Sequence, residues 1–149
     1  MGIRGKNAVQ FHTYNSLPVP AVMTEKSLHE IQVQVQPNYI DDQSEPDANR
    51  FVFSYTVTIQ NTGTVAAKLL TRHWVITDAN GKVQEVIGEG VVGHQPYLKP
   101  GQGFQYTSGA IIETPLGSMQ GSYQMVADDG KHFDAPIPVF TLVRPNTLH

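Results

Sequence analysis

FVFSYTVTIQNTG, Phe51 to Gly63, is the stretch from which the fold class of this chain can be read. Phe51, Phe53, Tyr55, Val57 and Ile59 alternate with Val52, Ser54, Thr56, Thr58 and Gln60. A period of two puts the first set on one face of an extended strand and the second on the other. The aromatic and β-branched residues suit a pleated surface packed against a core, and Asn61-Thr62-Gly63 closes the run with turn residues.

The same grammar repeats in both directions. Upstream, Ile31, Val33 and Val35 alternate with Gln32, Gln34 and Gln36, a half-buried strand. Between the two strands, Pro37 to Arg50 is acidic and turn-rich, with no periodic apolar face, and reads as a loop. Downstream, Lys68 to Thr77 is β-rich, Asp78-Ala79-Asn80-Gly81 supplies a hairpin turn, and Lys82 to Ile87 returns as its partner. Lys99-Pro100-Gly101 turns the chain into the alternating run Phe104 to Ile112, and Thr114-Pro115-Leu116-Gly117 breaks it. Ser122 to Ala127 resumes, Asp128-Asp129-Gly130 turns, and His132 to Leu142 completes the series, with Pro136 and Pro138 marking an edge strand. Short strands at roughly ten-residue spacing predict an all-β protein, an immunoglobulin or fibronectin type III-like antiparallel β-sandwich. Trp74 and Tyr123 stand where such sandwiches keep a core tryptophan and a corner tyrosine, and the absence of cysteine favours the fibronectin version.

A chain of 149 residues suits one domain. Residues 1–22, with Pro18 and Pro20, read as a leader or extended N-terminus that need not be native, and 23–149 as the domain. A net charge of −3 gives no general drive toward nucleic acid. No apolar run reaches the ~20 residues of a membrane helix. Without cysteine there is no disulfide, thiol nucleophile or thiolate metal site, which accords with a cytoplasmic protein.

Gly88, Gly90 and Gly93 mimic a dinucleotide fingerprint, but no helix can follow them: His94-Gln95-Pro96 and Lys99-Pro100-Gly101 come next. They are expected to relieve strain in a bulged loop. The functional alternative is a helix-free phosphate nest, which Glu89 would oppose. His73, His94 and His132 fall on separate strands without ligand spacing, so no metal site and no cofactor is expected. Ser108 and Ser118 lack the nucleophile-elbow pattern, and adjacent Asp128 and Asp129 do not form a working pair, so catalytic residues are not assigned. Alternation would place Arg72 on the face of Leu70, Trp74 and Ile76, where a bulge or a structural ion pair must accommodate it. Val91, Val92, Tyr97 and Leu98, together with a face carrying Val52, Thr56 and Thr58, are candidates for a partner-docking surface. Pairing of two copies through an edge strand is a further expectation.

Thr71-Arg72-His73-Trp74, Asp78 to Gly81, Gly88 to Gly93 with Gln95-Pro96, Lys99-Pro100-Gly101, and Tyr106 to Gly109 leading to Thr114 to Gly121 occur in that order. Together they resemble the bacterial ApaG family, also called CorD, from about His29 to Leu142. The resemblance implies a fibronectin type III-like sandwich and an association with cobalt resistance and magnesium efflux. Related domains in eukaryotic F-box proteins and a polymerase-interacting protein imply protein recognition. The function expected is that of a non-enzymatic protein-interaction module with an unidentified protein partner. The alternative is a phosphorylated-nucleotide sensor using the Gly88–Gly93 loop.

Overall fold

The computed structural model describes residues 27–146, and the expectation for residues 1–22 lies outside them. Eight strands run in order: β1 (Ile31–Tyr39), β2 (Phe51–Asn61), β3 (Ala67–Asp78), β4 (Val83–Glu89), β5 (Tyr97–Leu98), β6 (Gly103–Ile112), β7 (Leu116–Ala127) and β8 (His132–Val143). The acidic stretch between β1 and β2 folds into two 3-10 turns, Asp41–Gln43 and Pro46–Ala48. One sheet has the order β1, β2, β6; the other has β4, β3, β7, β8, with β5 pairing β3 beside β4. Every pairing is antiparallel. This is the expected fibronectin type III-like sandwich.

The inward faces meet in one core that includes Phe53, Tyr55, Val57, Ile59, Leu69, Trp74, Ile76, Phe104, Tyr106, Met119, Tyr123 and Leu142. Trp74 lies edge-on to Tyr55 and to Tyr123, as ring quadrupoles favour. Tyr123 does not form the expected backbone corner. Its hydroxyl meets that of Tyr106 at 2.5 Å, tying one sheet to the other. The Asp78–Gly81 turn forms as expected: Gly81 has φ +83° and Asp78 Oδ1 accepts from the amides of Asn80 and Lys82.

The structure departs from the alternation pattern at β7 and at Val52. β7 begins at Leu116 rather than Ser122, running through Gly117 and Gly121. The glycines lie within the strand because other backbone stands where a side chain would be: Thr77 O at Gly117 and His73 O at Gly121. Val52 is buried rather than exposed, since its backbone bonds to Ile40 and Ser44 in the connection between β1 and β2.

Candidate functional site

The region singled out by the sequence, from β4 through β5, is organised by a bulge in β3. Register shifts between Leu69 and Thr71, so burial passes from Ala67 and Leu69 to Trp74, Ile76 and Asp78. Leu70 is the extra residue. Its freed carbonyl accepts from the Gly90 amide at 2.8 Å and from Gln95 Nε2 at 2.9 Å, anchoring the segment after β4.

Beyond the bulge, Arg72 shares the inner phase with Trp74 and stands opposite Gly88. The expected ion pair does not form among the described residues. Instead, Arg72 Nη1 donates to the carbonyls of Glu89 at 3.0 Å and Gly90 at 2.9 Å. Its guanidinium lies over Gly88, where a Cβ would come within 2.7 Å of Cζ. Gly88 is thus a strand glycine that makes room for an arginine rather than a turn glycine. The guanidinium's field favours ionised Tyr55, Tyr106 and Tyr123, but burial dominates and pushes all three phenols above their ordinary range. Tyr55 also shares a hydrogen bond with the buried Ser108 hydroxyl.

The glycine loop closes as a tight hairpin. Val91 N donates to His94 O at 2.8 Å and His94 N returns to Val91 O at 2.9 Å. Val92 and Gly93 between them have φ +43° and +84°, the signs of a type I′ turn, with a β-branched residue in a position glycine or asparagine favours. Gly90, at φ +65°, faces the His94 carbonyl so closely that no Cβ fits, whereas Gly93 has open space around it. The amides of Gly90, Val91 and His94 are therefore engaged within the protein, leaving those of Val92 and Gly93 as the loop's spare donors for an anion.

The structure divides the candidate partner surface. Val91 and Leu98 are fully buried core residues, which corrects their assignment to a surface. Val92 is half-buried, and Tyr97 is exposed, donating its hydroxyl to Asp128 Oδ2 at 2.6 Å. That hydrogen bond raises the phenol's pKa above its ordinary value. Leu98 O accepts from Asn61 Nδ2 at 2.9 Å, locking β5 to the end of β2.

Sequence reasoning missed the outer face of β4. Val83, Glu85, Ile87 and Glu89 all point outward along it. Glu85 pairs with His73 at 2.5 Å, directly across the ladder diagonal. The alternation of Lys82 to Ile87 carried the signal, but nothing in it marked β4 as the edge of its sheet. Among the described residues no group of three or more histidines and acids is placed to hold a metal. Asp128 and Asp129 sit in a turn, bonded separately to Tyr97 and His29. Among the described residues no helix is long and apolar enough to cross a membrane.

Comparison with known proteins agrees with the fold and motifs. The ApaG domain model matches residues 41–127. Protein ApaG of Thiobacillus denitrificans is 59% identical over 127 residues, covering 85% of this chain and 100% of that protein. Protein ApaG of Methylococcus capsulatus is 60% identical over 121 residues, covering 81% and 96% respectively. A crystal structure of a Bordetella pertussis protein described as ApaA superposes with a TM-score of 0.80 at 46% identity, covering 83% of this chain and all of that one.

Proposed function

This chain belongs to the ApaG domain family, and from that membership we propose that it acts as a non-enzymatic protein-interaction module. The observation that carries this reading is a run of exposed apolar side chains on one flank of the larger sheet. Val83 is 59% exposed, Ile87 72% and Tyr97 40%, all on strands beside β3. Their apolar area is free for a partner to cover. The effects on cobalt resistance and magnesium efflux implied by the family resemblance would then be exerted from the cytoplasm through a bound protein.

The nucleotide-sensor reading has less in its favour, because the loop's own backbone engages the amides of Gly90, Val91 and His94. The test is capture on immobilised protein, with the retained partner identified by mass and its affinity measured in purified form. Ile87→Asp and Tyr97→Ala should each weaken that affinity by tenfold or more, as ~1.4 kcal/mol of lost burial would. Unchanged affinity in both variants would remove this flank as the contact surface. Saturable binding of a nucleoside triphosphate with shifts confined to Val92 and Gly93 would favour the sensor.

A further inference from the structure

β4 is an open edge, and the geometry points to its use as a template for an added strand. We propose that the partner supplies an extended segment with basic and apolar residues alternating on one face, which pairs with Val83–Glu89. This deepens the interaction-module reading and rests on it.

The phase of β4 fixes which backbone groups are free. Asp78 N donates to Lys82 O at one end, and Gly90 N donates to Leu70 O at the other. Even-numbered residues of β4 therefore bond to β3, while the N–H and C=O groups of Val83, Glu85 and Ile87 and the N–H of Glu89 project from the free side, the Glu89 carbonyl being held by Arg72 Nη1. The same four residues carry the outward side chains. No other described strand pairs with that side.

The opposite edge of this sheet is protected. β8 places exposed Pro136 and Pro138 there, and proline offers no N–H to an incoming strand. β4 has no proline and presents two exposed aliphatic side chains instead. Edge protection is thus one-sided.

Charge selects the occupant. The outward row reads Val83, Glu85, Ile87, Glu89, and the basic group it meets is His73 on Glu85. A second copy of this chain would bring two more carboxylates into the same strip, which like-charge cross-strand pairing disfavours. A segment with lysine or arginine opposite Glu85 and Glu89, and aliphatic residues opposite Val83 and Ile87, satisfies both features at once.

The experiment is an amide NMR titration of the full chain with a synthetic peptide alternating lysine and valine on one face and threonine on the other. A control peptide replaces each lysine by glutamate. Saturable shifts centred on the Val83, Glu85, Ile87 and Glu89 amides are expected, with the control about tenfold weaker or worse. Ile87→Pro should abolish the shifts without disturbing the β3 ladder, because the N–H it removes points away from β3. Equal binding of both peptides, shifts elsewhere, or concentration-dependent self-association protecting these amides would overturn the proposal. If Ile87→Pro still binds a captured partner at full affinity, the edge assignment fails while the interaction-module reading stands; if the wild type binds no partner, that reading fails first.

Discussion

Three glycines that look alike in sequence do three different things. Gly88 clears space for the Arg72 guanidinium, Gly90 combines φ +65° with close approach of the His94 carbonyl, and Gly93 needs only its φ of +84°. Their alanine variants should therefore differ in a defined order. Gly93→Ala meets no atom and should cost about 1 kcal/mol for the left-handed backbone. Gly90→Ala adds a collision with backbone and should cost about 3 kcal/mol or more. Urea unfolding with an unchanged slope would measure both, and equal costs would show that crowding at Gly90 is relieved by the loop. The glycine spacing was legible in the sequence as a backbone requirement. Which requirement each one met was not, because it depends on the carbonyl or guanidinium that folding brings opposite it. Val91 and Leu98 illustrate the same limit: a short apolar loop segment reads as exposed until the Leu70 bulge and Asn61 draw it into the core.

Among the elements, the sequence located the boundaries best where turn chemistry was explicit, as at Asp78 to Gly81. It failed at β7, where glycines that resemble breakers lie inside the strand. Gly121 lets β7 approach β3 so closely that the His73 carbonyl occupies the position of a Cβ. Gly121→Ala should therefore force the central ladder of the larger sheet apart, lowering stability by about 3 kcal/mol or more. Hydrogen exchange should show the loss concentrated in the amides shared by β3 and β7; protection equal to wild type would mean that the strands separate freely at that point. Arg72 follows from the same scale. Simple alternation put it in phase with Leu70, whereas the bulge moves Leu70 out of the β3–β7 pairing and leaves Arg72 in line with Trp74.

For the molecule as a whole, the two sheets share a polar seam within an apolar core, in which the Tyr106 and Tyr123 hydroxyls meet and Tyr55 bonds to Ser108. All three phenols are raised above the ordinary value of 10.0, chiefly by burial. A raised pKa means the folded state holds these protons more tightly than the unfolded chain does. Their contribution to stability is complete below pH 10 and is lost as the pH rises from there toward the folded values. A titration of tyrosinate absorbance should thus show these three ionising only as the circular dichroism of the sheets collapses; ionisation in the intact fold would contradict their burial. The sequence by itself determined the strand count to within short segments, the sandwich class and the family, because alternation and turn residues are local and repeat along the chain. Only the tertiary structure decided that Arg72 caps carbonyls, that Val91 and Leu98 are core, and that β4 is an open edge. Each of those depends on which distant strand lies opposite, and local periodicity does not encode that.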